Sequence, residues 1–406
     1  MKFITAEVPP CPGAMKSINE DFRVEEIPLY AFAGSGDHTL VQIEKSGIST
    51  FEAIKRLSGA VMYPERDVGL AGLKDARGIT RQWLSFEHVA PEKFANLEVP
   101  KLRVLQTTRH ANKLKRGHLK GNRFEVVLRG VAEADCQNAA RTLDILKRRG
   151  VPNWYDSQRF GRRLDSARLG LALVKRDWKG YFDILLGEPD AKLEPRTAAA
   201  RKAYEDGKFE DALKQWPGNA NVERMALKAV MAEGAGERAL RSVQHKLKLL
   251  HVSAAQSLLF NRCLERRLSR YDQVFKGDIC QKQNGACFIV EDAAAEQPRV
   301  PTFEISPTGP IFGTKMLAPG GETAAMEAEV LAEAGLNGES FDIGHGLTQK
   351  GDRRPYRFPV GDLSMVFDRV DGTLTLRFAL PKGCYATVLV REITKDADVD
   401  LTFGDE

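Results

Sequence analysis

The hydrophobic period of this chain changes near Gly150, and that change does most to restrict its fold class. Before it, apolar residues alternate. Phe22-Arg-Val-Glu-Glu-Ile27, residues 39–44 and residues 82–87 predict strands, as do Phe124, Val126 and Leu128 set against Glu125, Val127 and Arg129. A period of two puts every second side chain on one face of a strand. After Gly150, Leu164, Ala167, Leu171 and Val174 recur three or four apart and predict a helix. The Ala- and Lys-rich text through Met231 keeps a helical character. Residues 252–268 predict a further helix with Ala255, Leu258, Leu259 and Cys263 inside and Arg262, Arg266 and Arg267 outside. Residues 301–321, rich in Pro and Gly, read as loop, and alternation returns over 373–391. Strands gathered in one part and helices in another argue for an α+β fold rather than regular βαβ winding.

Two helices interrupt the early strands. Ser49 and Glu52 form a capping box before Phe51, Ile54 and Leu57, and Gly59 is expected to close that helix. Residues 133–149 predict the second, stopped by Gly150 and Pro152.

The stretch Ala71-Gly-Leu-Lys-Asp-Ala-Arg-Gly-Ile-Thr-Arg-Gln-Trp83 stands out. Strand-like text on either side places Asp75 on an irregular loop held between two strands, where reactive side chains are often found. Gly72 reads as a pivot. Lys74 and Arg77 flank the carboxylate, and nearby fixed cations favour its ionised form. An ordinary turn would use the same residues. Asp75 is the only acid between Asp67 and Glu87, which counts against paired-carboxylate hydrolysis and two-metal chemistry. A lone aspartate suits nucleophilic or general-base work.

Other features exclude whole classes. The six cysteines are scattered without a CxxC pair, and the seven histidines show no HxxxH or HExxH spacing. Nothing in these spacings calls for a metal, and free thiols suit a reducing cytoplasm; no cofactor is expected. No run of about 18 apolar residues suggests a membrane span, and the first residues lack the apolar core of a signal peptide. A cytoplasmic monomer is expected.

Charge points to a polyanion. The net charge is +5, and residues 101–123 hold eight Lys or Arg and no acid. Lys113, Lys115, Arg116 and Lys120 are candidate RNA phosphate contacts, and Arg159 and Arg162 join them farther on. Trp154, Tyr155 and Phe160 lie beside those arginines, which suits stacking on splayed bases. Asn122, in Gly121-Asn122-Arg123-Phe124, offers an amide donor and acceptor to a base edge.

Five stretches in order carry a resemblance. They are Glu20-Asp21-Phe22-x-Val24-x-Glu26; Gly72-x-Lys74-Asp75 with Thr80 and Gln82; Gly117-His118-x-x-Gly121-Asn122-Arg123-Phe124; Val151-Pro152-Asn153 with Gln158-Arg159-Phe160-Gly161; and Tyr385-Ala386-Thr387 with Arg391-Glu392. Together they resemble the tRNA pseudouridine synthase D (TruD-like) family over nearly the whole chain. The resemblance implies a pseudouridine synthase fold with a mixed β-sheet, interrupted by an inserted α/β TruD-specific domain. It divides the chain into a catalytic domain, first part, at 1–149; an insertion at 150–358; and a C-terminal part of the catalytic domain at 359–406. It implies isomerisation of a tRNA uridine, uridine 13 of the D arm, with Asp75 catalytic as nucleophile or base. It places Phe22, Asn122, Phe124 and Tyr385 at the substrate. Tyr385 stands where the family commonly has phenylalanine. A non-catalytic RNA-binding or chaperone protein is the alternative, and a turnover assay separates the two.

Overall fold

The computed structural model describes residues 2–95, 97–161, 163–190 and 192–396. The first part of the chain forms the strands β1 (Ala14–Met15), β2 (Phe22–Pro28), β3 (His38–Ser46), β4 (Gly69–Leu70), β5 (Ile79–Glu87), β6 (Leu102–His110), β7 (Leu119–Arg129) and β8 (Val151–Pro152), of which β2, β3, β5 and β7 carry the alternation. Helix α1 (Thr50–Val61) follows β3, and α2 (Cys136–Arg149) follows β7. Ser49 caps α1 by accepting a hydrogen bond from the Glu52 backbone N–H at 3.0 Å. Glu52 does not close the reciprocal half of a capping box; its carboxylate accepts from Arg56 at 2.6 Å. Nor does α1 stop at Gly59. It runs on to Val61 and ends at Met62, held at φ +55°. Val61 is buried with the helix face, and this packing outweighs the local preference of glycine for a helix end.

The inserted text folds as α3 (Ser166–Val174), α4 (Trp178–Leu186), α5 (Pro195–Glu205), α6 (Phe209–Gln215), α7 (Asn221–Glu233) and α8 (His245–Arg267). Strands β9 (Ile279–Lys282) and β10 (Cys287–Ile289), the short α9 (Ala293–Glu296), β11 (Ile305–Ile311), α10 (Gly321–Glu333) and β12 (Asp352–Pro355) follow. Strands β13 (Arg357–Phe358), β14 (Gly361–Asp368) and β15 (Thr373–Pro381) and helix α11 (Ala386–Thr394) come next. The chain folds as two units. One holds the described residues up to Asn153 and from Arg357 on; the other is Trp154–Tyr356.

In the first unit the strands order β14-β15-β7-β2-β5-β3-β6, with β1 beside β7 and β4 beside β5. The β2–β5 pair is parallel and the other pairs are antiparallel, so the sheet is mixed and the fold is α+β. Ala53, Ile54, Leu57 and Val61 of α1 pack on Val41, Ile43, Leu84 and Phe86 of β3 and β5. Each fully buried Leu or Ile there contributes about 1.5–3 kcal/mol. This anchors one end of the segment that leads to Asp75.

In the second unit α8 is the axis. A Cβ on Gly170 of α3 would collide with the His251 carbonyl, so the two helix backbones touch. Two expectations are corrected. The stretch 301–321 is not all loop, because β11 pairs with β9 through Ile305–Pro307 and with β12 through Thr308–Ile311. Each half of β11 needs donors towards one neighbour only, so Pro307 and Pro310 leave few ladder bonds unmade. Arg267 does not lie outside α8. It is 4% exposed and pairs with Asp278, and its Nη1 donates to Thr323 at 3.0 Å. Arg266 pairs with Glu329 at 2.8 Å and with Glu333.

Candidate active site

The Asp75 loop, residues 71–78, joins β4 to β5. Its backbone is pinned from beneath by buried polar groups. The Lys45 ammonium, 1% exposed, donates to the carbonyls of Ile48 and Asp75 at 2.6 Å and of Lys74 at 3.3 Å. Thr50 Oγ1 accepts from the Lys74 N–H at 2.9 Å and donates to Gln82 Oε1 at 3.0 Å. Gln82 Nε2 reaches the Gly72 carbonyl at 3.5 Å. Asn19 Oδ1 accepts from the Gly78 N–H at 3.1 Å. Charge-assisted bonds of this kind are stronger than neutral ones, so the loop backbone is held while the Asp75 side chain stays 36% exposed.

The flanking cations are not the ones that meet Asp75. Lys74 turns away to Glu26, at 2.7 Å in a pair that is nearly fully buried. Glu26 Oε1 also accepts from the Trp83 N–H at 3.3 Å. A buried Glu26 without a partner would be costly, and Lys74 meets that need. Arg77 is exposed. The cation beside Asp75 is Lys16, 3.6 Å from its carboxylate. Lys16 sits at φ +60° just after β1. Its ammonium also lies 3.6 Å from the centroid of the Phe22 ring.

The glycine roles change too. Gly72 does not occupy the left-handed region, and a Cβ there would meet its nearest neighbour, Lys74 Nζ, at an ordinary 3.5 Å. Gly78 is the demanding position. It has φ +138°, and a Cβ would lie 2.6 Å from the Phe22 carbonyl oxygen and 3.2 Å from its ring.

Strand register gathers the remaining candidates. Phe22 lies opposite Val126, Val24 opposite Phe124 and Glu26 opposite Asn122. Phe22, Glu26, Asn122 and Phe124 therefore share one face, and Thr80 joins it beside Val24. The Phe22 and Phe124 centroids are 6.1 Å apart, and Phe124 stacks on Phe378 at 5.4 Å. Both rings are largely buried, Phe22 at 2% and Phe124 at 8% exposed. Asn122 Oδ1 and Thr80 Oγ1 are buried without a hydrogen-bond partner. A buried unsatisfied group costs about 1–3 kcal/mol unless something else meets it, and a polar base edge is such a thing. Tyr385 caps the start of α11, four residues past Pro381, whose register partner is Gly121. Glu392 of the last motif is structural. It is buried and accepts from Thr5 Oγ1 at 2.6 Å and from the Ile4 N–H at 3.1 Å, and burial pushes its carboxyl up.

The basic loop 111–118 is fastened by Leu114, whose N–H donates to Ser85 Oγ at 3.0 Å, and by the Gly117 N–H, which reaches the Ala71 carbonyl at 2.8 Å. Lys115, Arg116 and Lys120 are exposed and Lys113 is half-buried. Among the described residues none of the four meets a carboxylate. Such a display suits a polyanion.

In the second unit, Arg159 donates to Ser257 at 3.0 Å and to Ser253, both on α8. Trp154 is core at 3% exposed, so it presents no face to a base; Tyr155 is half-buried under the Arg354 guanidinium at 4.2 Å. Arg162 lies outside the described residues. Among the described residues no three His, Cys, Asp or Glu side chains are placed to hold a metal, and no helix is long and apolar enough to cross a membrane.

Sequence reasoning missed Lys16, Lys45 and the Glu26–Lys74 pair. Glu26 and Lys74 lay within two of the motif stretches without an assigned partner. Lys16 had no local signal.

Known proteins are similar to this chain over nearly its whole length. The chain matches the family model described as tRNA pseudouridine synthase D (TruD) over residues 1–393. It is 47% identical over 397 residues to tRNA pseudouridine synthase D of Geobacter sulfurreducens, covering 97% of each chain. It is 36% identical over 404 residues to the protein of that name from Anaeromyxobacter dehalogenans strain 2CP-C, covering 99% of this chain and 98% of the relative. Its fold is similar to a Methanosarcina mazei crystal structure assigned to tRNA pseudouridine synthase D, with TM-score 0.85, 25% identity, and 98% and 96% of the two chains covered.

Proposed function

The chain belongs to the tRNA pseudouridine synthase D family, and from that premise we propose that it isomerises uridine 13 in the D arm of tRNA, with Asp75 starting the reaction. The reaction breaks the bond from uracil N1 to C1′ of the ribose and forms one from C5 to C1′. The C5 proton is lost and N1 gains one, so the RNA keeps its mass. A carboxylate starts this either by attacking C1′ or by taking a sugar proton, and both routes need it close to the ribose.

The observation that carries the reading is the contrast within one residue. The backbone of Asp75 is held by Lys45 while its carboxylate is left partly open beside Lys16. The Lys16 ammonium bridges the carboxylate and the Phe22 ring and orients both. Asn122 hydrogen-bonds the edge of the flipped uracil and satisfies its own unpartnered amide oxygen. Phe22 and Phe124 wall the pocket, and Tyr385 supplies a flat face from the start of α11. Extruding the base costs a few kcal/mol, offset by stacking and hydrogen bonding in the pocket. Lys113, Lys115, Arg116 and Lys120, with Arg159 and Arg162, bind tRNA phosphates.

The test is pseudouridine mapping of total tRNA from cells with and without the gene. Loss of pseudouridine at position 13 alone supports the proposal. Unchanged modification at that position contradicts it.

A further inference from the structure

A cavity of about 690 Å³ lies in the same unit as Asp75. Tyr30, His38, His110, Lys113, Lys115 and His118 line it, and none of these is acidic. Its volume falls within the roughly 300–1,000 Å³ of small-ligand sites. His38 on β3 lies opposite Glu87 of β5, whereas Lys45, which grips the Asp75 loop, lies opposite Thr80. Seven strand residues, roughly 23 Å at 3.3 Å per residue, separate His38 from Lys45, while Lys115 and His118 on the cavity's other wall border Gly117, whose N–H reaches the Ala71 carbonyl at 2.8 Å. His38 and Lys45 also point to opposite faces of the sheet.

Three observations describe the occupant. Tyr30 forms an aromatic corner, its ring centroid 5.1 Å from His110 and 6.2 Å from His118. Flat rings of this kind take a base face irrespective of sequence. Lys113 and Lys115 bring positive charge to the same wall, on a run that continues through Arg116 and Lys120 without an acid. His38 is 7% exposed, and its Nδ1 has no hydrogen-bond partner, while its Nε2 lies 3.9 Å from Glu87. Two of the ring groups beside it are engaged. Tyr30 Oη is 3.4 Å from His118 Nδ1, and His110 Nδ1 accepts from the Ala33 N–H at 3.4 Å.

The geometry points to a second nucleotide subsite. It takes one unstacked nucleotide of the tRNA other than the uridine at Asp75, with its base on Tyr30 and its phosphate at Lys113 and Lys115. The inference rests on the tRNA reading of the proposed function. A base held there fixes how far the RNA can slide across the protein, and so which uridine arrives at Asp75.

The test measures tRNA affinity, single-turnover pseudouridine formation at saturating protein, and melting for the wild type, Tyr30→Ala and Tyr30→Phe. Loss of one base stack weakens binding roughly 5- to 160-fold. Tyr30→Ala is expected to lose that much tRNA affinity with its single-turnover rate within about threefold of wild type, and Tyr30→Phe to bind as the wild type does. Unchanged tRNA affinity in Tyr30→Ala overturns the subsite, as does an equal loss in both variants. If Tyr30→Ala melts early, Tyr30→p-benzoylphenylalanine decides: a photo-cross-link to one nucleotide other than the target uridine supports the subsite, and none or a scatter overturns it. Binding of uridine monophosphate with no change in tRNA affinity also overturns it. Failure of the wild type to form pseudouridine in tRNA overturns the parent reading instead.

Discussion

Replacing Lys16 tests whether the cation beside Asp75 belongs to the reaction. Its ammonium is 3.6 Å from the Asp75 carboxylate and 3.6 Å from the Phe22 centroid. Two unit charges at that separation attract by about 1 kcal/mol in bulk water and by about 4–5 kcal/mol at the effective dielectric of a protein surface. Lys16 is 8% exposed but Asp75 is 36% exposed, so water screens the pair and the higher figure is not reached. A working range is about 1–3 kcal/mol. If that attraction holds the carboxylate in its reacting position, Lys16→Met loses roughly 5- to 160-fold in the single-turnover rate. Methionine keeps the apolar stem over Phe22, so folding is largely preserved. The assay is pseudouridine formation under single-turnover conditions, with tRNA affinity and a melt on the same samples. The expected result is a slower rate with affinity within about threefold. A rate within about twofold of wild type would refute the argument, and so would a loss confined to affinity.

The remaining expectations follow from particular residues. Gly78→Ala places a Cβ 2.6 Å from the Phe22 carbonyl oxygen at φ +138°; backbone strain of about 1–3 kcal/mol should lower Tm by several degrees, whereas Gly72→Ala, with ordinary spacing to its neighbours, should melt as wild type. Alanine at Lys113, Lys115, Arg116 and Lys120 together should reduce the slope of log affinity against log salt by about 0.7–0.9 for each phosphate that is no longer neutralised; an unchanged slope would show that the loop is only a solvated surface. His251 is buried against Tyr181 Oη at 3.2 Å, and burial holds its imidazole down to about 4 from an ordinary 6.5. The unfolded chain binds that proton more readily, so this contribution is complete above pH 6.5 and is lost as pH falls towards 4, by up to about 3 kcal/mol. Melts of wild type and His251→Gln between pH 7 and 4 should show the steeper fall in wild type.

The sequence exposed what depends on local pattern. Alternation located the strands β2, β5 and β7, and the Gly-x-Lys-Asp stretch lay on a loop between strands, as the flanking text required. What it concealed depends on pairing at a distance. Lys74 follows its partner Glu26 across the sheet, not its neighbour in sequence. Lys16 reaches Asp75 only because β1 pairs with the far end of β7. Arg267 reads as a surface residue at its helical spacing, yet Asp278 draws it inward. Pro307 and Pro310 read as loop until β11 is seen to pair with different neighbours along its length. In each case the determining partner lies outside the element itself, and periodicity carries no record of it.

The central claim is that Asp75 starts the isomerisation and contributes little to RNA docking. Asp75→Asn preserves shape and removes the charge. With purified protein and an unmodified tRNA transcript, wild type should form pseudouridine at position 13. The variant should bind the transcript within about threefold, roughly 0.7 kcal/mol, and form none. Appreciable turnover by Asp75→Asn in the same single-turnover assay would contradict the account.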